Sequence, residues 1–307
     1  MSEEVIKIFS LMGKDDFTTD EEARNYIENI FKGYVKRKRN GNLYTKEDII
    51  PEVIIGAYYA YVDRMDINEV FSNFKRKYIY NENQLESVHE LKERQGLSKV
   101  YDYLQDINDY SNLNIYSVFK IHQILYSLID PPLVDISSIE SSLIESINKE
   151  PRFGGVLRNS PAYLENSPIE LVPAEYVPME LQKLFIGSND LTKRGLILRK
   201  NPEPIEMLRY IDDCIKLKCA LVKIHPFGDG NGRSARALLN LYFKLANIPP
   251  VYVKRSEKEE YQEAMGKAIC DEEYNPDFTS INRFYYYKLC DSIVELDIDQ
   301  KKKSSQK

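Results

Sequence analysis

Tryptophan is absent from the 307 residues, and histidine occurs only three times. Cysteine occurs four times, as Cys214, Cys219, Cys270 and Cys290, and no two of them form a CxxC pair. So few soft ligands argue against a zinc site, and the thiols read as reduced, mostly buried side chains of a reducing compartment. No run of 18 apolar residues occurs. The N-terminal MSEEVIKIF lacks a basic stretch leading into a long apolar one. Neither a membrane span nor a secretory leader is expected, and a cytoplasmic location is. Positive charge is also in deficit, with 42 Lys and Arg against 48 Asp and Glu and a net charge of −6. That balance argues against a nucleic-acid partner, which needs a basic face. What remains is a chain long enough for a sizeable core and one or two domains.

The most informative stretch is residues 225–236, His-Pro-Phe-Gly-Asp-Gly-Asn-Gly-Arg-Ser-Ala-Arg. Gly228, Gly230 and Gly232 let the backbone turn successive amides toward an anion. The segment that follows has apolar residues at Ala235, Leu238, Leu239, Tyr242, Leu245 and Ala246. Spacings of three and four predict a helix, so the loop ends at a helix N-terminus, which favours negative charge. His225 stands at the loop entrance, and an imidazole suits proton abstraction near neutral pH. Asp229 is an oxygen ligand of the kind Mg²⁺ takes beside substrate phosphates. Arg233 and Arg236 offer planar forks matched to phosphate oxygens. Together these residues describe an Mg²⁺–nucleotide site with a general base beside the phosphates.

The stretch resembles the Fic family signature HxFx(D/E)GNGRxxR at every fixed position: His225, Phe227, Asp229, Gly230, Asn231, Gly232, Arg233 and Arg236. The resemblance implies a mainly α fold, a Fic-type helical bundle with a small β-hairpin flap near the active site. It also implies that His225 is the catalytic base and that Asp229 binds Mg²⁺. Phe227, Gly228, Gly230, Asn231, Gly232, Arg233 and Arg236 would form the nucleotide-binding loop, with the Asn231 side chain on the α- and β-phosphates. Many members carry an inhibitory helix with the motif (S/T)xxxE(G/N), whose glutamate pairs with the second arginine of the signature. Residues 82–87 resemble a degenerate copy that puts Glu86 in the glutamate place. Glu82 then stands where the family has Ser or Thr, and Ser87 where it has Gly or Asn. Ser141-Ser-Leu-Ile-Glu145 is a second candidate, so Glu86 and Glu145 both stay open, with Glu86 preferred by position.

Along the chain, residues 1–78 read as an N-terminal helical region. Thr19 with Glu22 is a capping box, and Ala23, Tyr26, Ile27, Ile30, Phe31 and Tyr34 form an apolar face. The basic cluster Lys36–Arg39 reads as a solvated last turn. Residues 79–294 read as the catalytic domain with its preceding inhibitory helix, and 295–307 as a disordered polar tail. His122 lies in a helical stretch and is expected to pack or cap rather than bind metal. Residues 151–173 turn Gly-, Pro- and Asn-rich, and short extended runs at 156–157 and 163–164 suggest the hairpin. By resemblance this is a flap that holds the target polypeptide, with Arg158, Ala162 and Tyr163 as its candidate contacts. Tyr261 falls where the family places an aromatic of the adenine pocket, and Asn275 where a polar contact to the base would lie.

The resemblance thus implies a protein adenylyltransferase that moves AMP from ATP to a Ser, Thr or Tyr hydroxyl of a protein target, restrained by its own glutamate. Removal of AMP, another nucleotide donor, and a non-catalytic nucleotide-sensing module are alternatives. Self-modification and a homodimer stay open.

Overall fold

A computed structural model describes residue 17 and residues 19–62, 65–129, 154–164, 169–270 and 276–305. The candidate residues Glu145 and Asn275 lie outside them. The first described helix, α1, spans Asp20–Arg39, and the Thr19 hydroxyl caps it by accepting from the Glu22 amide at 3.3 Å. Next come α2 (Pro51–Tyr61), which starts on proline, α3 (Ile67–Leu85) and α4 (Leu91–Asp106). They are followed by α5 (Ser117–Tyr126), α6 (Val177–Lys200) and α7 (Pro204–Ile224). The last three are α8 (Asn231–Leu245), α9 (Lys258–Ile269) and α10 (Thr279–Ser304).

The α8 helix is the axis of the bundle. It packs on α7, α6, α5 and α4, and all of its residues but Gly232 are buried. A helix buried on every side must satisfy its polar groups internally. Asn240 does so by pairing its amide with the backbone N–H and C=O of Val251, both at 2.9 Å. Lys244 donates to the carbonyls of Gln105 at 2.6 Å and Ile107 at 2.8 Å. An ammonium there satisfies carbonyls at the α4 C-terminus and complements its dipole. Burial lowers the Lys244 pKa to about 8.

The N-terminal helices share this core: one buried cluster runs from Phe31 and Ile54 through the α7–α8 residues to Leu296. A polar hub ties α1 to α10. Asp291 accepts from Lys38 at 2.9 Å, from Lys254 at 3.1 Å and from the Tyr44 hydroxyl. Burial pushes the Asp291 carboxyl up, but Lys38, Lys288 and Lys254 outweigh it and hold it well below the usual carboxylate range. The Lys36–Arg39 cluster is therefore not simply solvated.

Two expectations are corrected. Residues 295–304 continue α10, and Lys301 bridges to Asp297 at 2.9 Å one turn earlier, instead of forming a disordered tail. Among the described residues there is no strand, and 156–164 carry no regular element and no hairpin. The physical reason lies in where their backbone groups point. Arg158 N–H donates to the Pro226 carbonyl at 2.9 Å, and Val172 N–H to that of Lys223 at 3.3 Å. These described residues, 154–164 and 169–173, form a strap that pairs with Pro226 of the α7–α8 turn and with Lys223 in the last turn of α7.

Candidate active site

His225 ends α7 as its C-cap, in the left-handed conformation at φ +51°. A non-glycine residue held there is uncommon. Its Nδ1 lies 3.3 Å from the Val222 carbonyl. A carbonyl only accepts, so Nδ1 carries the proton and Nε2 keeps its lone pair. Burial lowers the pKa of His225, and the Val222 carbonyl partly offsets this. The ring is held neutral at pH 7, and among the described residues no hydrogen-bond partner is seen at Nε2.

The turn is held from below by Arg158, which is 1 % exposed. Its guanidinium donates to the carbonyls of His225 at 2.6 Å, Ser160 at 2.8 Å, Ile224 at 3.2 Å and Val172. The side chain faces inward, so it staples the strap and does not meet solvent. Tyr163, by contrast, is 85 % exposed, and Ala162 is half-buried.

Phe227 is fully buried and stacks on the His122 ring, with centroids 3.8 Å apart. It supports the loop from within and does not line a pocket. His122 accepts from Gly155 N–H at Nδ1 and lies 2.9 Å from the Asp229 carbonyl through Nε2. Its tautomer is thereby fixed, and burial lowers its pKa to about 4. Asn231 pairs its amide with Phe227, accepting from the N–H at 2.9 Å and donating to the C=O at 2.7 Å. Its side chain thus closes the loop instead of projecting from it, which leaves main-chain amides at the α8 N-terminus. Gly230 caps that helix at φ +71°, a conformation that costs glycine little. Gly228 is exposed.

Asp229 accepts from Gly230 N–H at 2.6 Å and from the Tyr126 hydroxyl at 2.8 Å. Burial raises its pKa, but Arg233, Tyr126 and the Gly230 amide together depress it, so the carboxylate is ionised. Its side chain is 70 % exposed. Mg²⁺ binds through one or two carboxylates plus substrate phosphates, and one open carboxylate beside the amide cradle fits that pattern. Among the described residues no group of three or more His, Cys, Asp or Glu forms a protein-only cage. Arg233 is buried and ion-paired with Glu93, lies 3.5 Å from Asp229, and donates to Tyr126 at 3.1 Å. Glu93 and Tyr126 carry no motif of their own, and only the fold brings them to the loop.

Arg236 is buried between two carboxylates from the C-terminal turn of α3. Its Nε donates to Glu82 at 2.7 Å, and its Nη2 donates to Glu86. The Glu86 carboxylate lies over the loop: a Cβ built on Gly232 would stand 2.7 Å from its Oε1. Glu86 is the C-cap of α3, and Ser87 follows at φ +54°. Val88 N–H bonds to the Asn83 carbonyl at 2.9 Å and Ser87 N–H to that of Gln84 at 3.4 Å, which is a Schellman closure. The residue after the glutamate needs a left-handed backbone, which accounts for Gly or Asn in the family motif and for the tolerance of Ser here. Tyr261 lies 5.8 Å beneath the Arg236 guanidinium, is buried against Phe284, and accepts a hydrogen bond from Lys218. A cavity of about 660 Å³ lies elsewhere, lined by Arg76, Ile79, Tyr80 and Arg94 among others, and none of the loop residues lines it.

A half-buried histidine at a left-handed turn, a helix N-terminus and two ion-paired arginines thus meet in a bundle that is helical among the described residues. The Fic/DOC family model matches residues 112–243. That match covers under half of the chain, and over those residues the chain is similar to the Fic/DOC family. Protein adenylyltransferase Fic of Nematostella vectensis is 36 % identical over 91 residues, which is 30 % of this chain and 19 % of that protein. Protein adenylyltransferase fic-1 of Caenorhabditis elegans is 32 % identical over 114 residues, 37 % of this chain and 20 % of that one. The matches span about a fifth of the length of these curated relatives. The crystal structure of a Fic domain-containing signaling protein from Bacteroides thetaiotaomicron aligns over 88 % of this chain and 93 % of its own, with a TM-score of 0.52 and 15 % identity. That likeness supports the fold alone. No helix among the described residues is long and apolar enough to cross a membrane.

Proposed function

We propose that this protein is an adenylyltransferase that transfers AMP from ATP to a hydroxyl side chain of a protein target. The observation that carries this reading is the His225 geometry: a neutral imidazole, its Nδ1 engaged by Val222, beside a row of helix N-terminal amides. Nε2 takes the proton from the target hydroxyl as its oxygen forms a bond to the α-phosphorus. The bond from that phosphorus to the bridging oxygen breaks, and pyrophosphate leaves with the electron pair. The amides at the start of α8 stabilise charge on the phosphate chain without reorganising. Asp229 would hold Mg²⁺, which when bound neutralises phosphate charge. Arg236 receives the γ-phosphate, and Tyr261 stiffens it from below.

Glu86 is the brake in this reading. Its carboxylate takes the Nη2 donor of Arg236 and the space over Gly232, where the end of a triphosphate must lie. The names of the relatives, protein adenylyltransferase, agree with the reaction class. Exposed Tyr163 at the strap edge is a candidate contact for the target chain.

The test uses ATP labelled at either the α- or the γ-phosphate, incubated with Glu86→Gly protein and a lysate. Label from the α-position alone, lost in Glu86→Gly/His225→Ala, supports the transfer of AMP. Transfer of γ-label, or of neither, excludes it.

A further inference from the structure

Two carboxylates meet one guanidinium at Arg236, and they occupy different edges of it. Glu86 takes Nη2, on the edge that faces the loop; Nη1 of the same arginine stands 3.0 Å from the position a Gly232 Cβ would take. Glu82 takes Nε, on the adjoining side edge, at 2.7 Å. The two glutamates are one helical turn apart on α3, so both reach the same group. Their burial differs. Glu82 is 0 % exposed, whereas the Glu86 side chain retains 35 % of its surface. The second oxygen of Glu82, Oε1, has no hydrogen-bond partner among the described residues. A buried carboxylate with a spare oxygen is costly, and its one strong compensation is the arginine.

We infer that Glu82 is a positioning residue that holds the Arg236 guanidinium by its Nε edge, in the plane a γ-phosphate requires, whether or not Glu86 is engaged. The inference rests on the reading of Arg236 as the γ-phosphate ligand. Departure of Glu86 frees Nη2 beside Nη1, and the Glu82 contact keeps the fork from swinging away. An arginine held at Nε still presents a bidentate edge to phosphate. Glu82 stands where the family motif has Ser or Thr, so this support belongs to this chain's own sequence. It also separates the two acids by task. Glu86 competes with the ligand for the Nη edge, and Glu82 prepares that edge for it. Glutamine has the same shape and keeps an oxygen able to accept from Arg236 Nε, so it can fill the place of Glu82.

The experiment is calorimetric titration of ATP and of ADP into Glu86→Gly protein and into the same protein carrying E82Q, E82D or E82L. A thermal melt establishes that each variant is folded. E82L and E82D are expected to weaken ATP binding about tenfold while leaving ADP within about twofold, because only ATP reaches the fork. E82Q keeps an acceptor at the same point and is expected to stay within about threefold of the parent for ATP. If E82L does not fold, E82D, which keeps the charge and withdraws the oxygen, decides alone. ATP affinity unchanged in E82D would overturn the inference. So would strong self-labelling by E82L with Glu86 intact, which would make Glu82 part of the brake. Failure of the Glu86→Gly parent to bind either nucleotide would instead sink the nucleotide-transfer reading, and this inference with it.

Discussion

The carboxylate of Glu86 engages Nη2 of Arg236, 150 residues away in sequence, and lies over the Gly232 backbone at the mouth of the loop. That contact depends on the shape of the α3 C-terminus more than on α3 as a whole. The helix ends at Leu85, and a left-handed Ser87 closes it.

Replacing Ser87 should therefore tune the brake. A non-glycine residue in the left-handed region carries about 1 kcal/mol of strain, which glycine relieves. Ser87→Gly is expected to raise the melting temperature and to lower the basal labelling rate of otherwise unaltered protein. Higher labelling in Ser87→Gly would show that the helix end does not hold Glu86.

The imidazole sets the pH profile. The folded pKa of His225 lies below its ordinary value of 6.5, chiefly through burial, so the basic form persists to lower pH. The labelling rate of Glu86→Gly protein at saturating ATP should be flat from pH 8 through 7, with its acid limb centred below 6.5. An acid limb centred above 6.5 would mean that the ring is charged at rest.

His122 should leave its mark on stability, not on the rate limb. Its folded pKa is about 4 against 6.5, so below 6.5 the unfolded chain binds a proton that the folded chain refuses. Stability from this depressed group is intact above 6.5 and is lost as pH falls toward 4, by about 3 kcal/mol in all. Urea titrations at pH 7 and 4.5 should show that loss in the wild type and less of it in His122→Phe. Equal losses in both would place the acid sensitivity elsewhere.

Arg158 tests the strap. Arg158→Ala leaves the carbonyls of Ser160, Val172, Ile224 and His225 without their shared donor. In the Glu86→Gly background the labelling rate is expected to fall at least about tenfold, since a small misplacement of a base is costly. ATP affinity should stay within about twofold, because the arginine does not touch the cradle. Loss of ATP binding with the rate per bound complex preserved would contradict this.

How much of this is legible in the sequence depends on range. The α7–turn–α8 unit is local, so periodicity and three glycines disclose it, and the structure places His225 and Gly230 at the turn as the motif implies. The mainly helical fold is legible for the same reason. Glu86 was reachable by its family motif and faces Arg236, but Glu82 read only as a mismatch. That it faces the same arginine follows from helical packing that no spacing rule reveals. Glu93, Tyr126 and the loop-fixing contacts of His122 were missed because they come from α4 and α5, whose sequences signal only apolar faces. Asn231 and Phe227 are the reverse case: both belong to the signature, yet each is spent on shaping the loop. The expected hairpin failed because alternation in a short Gly- and Pro-rich segment cannot say whether its backbone pairs with itself or with a neighbouring turn.

The most direct test compares incorporation of α-phosphate label by wild-type protein and by Glu86→Gly at equal ATP. If Glu86 blocks the γ-phosphate arm of Arg236, its loss raises incorporation by at least about tenfold, roughly 1.4 kcal/mol of released competition. Equal incorporation in the two proteins would contradict it.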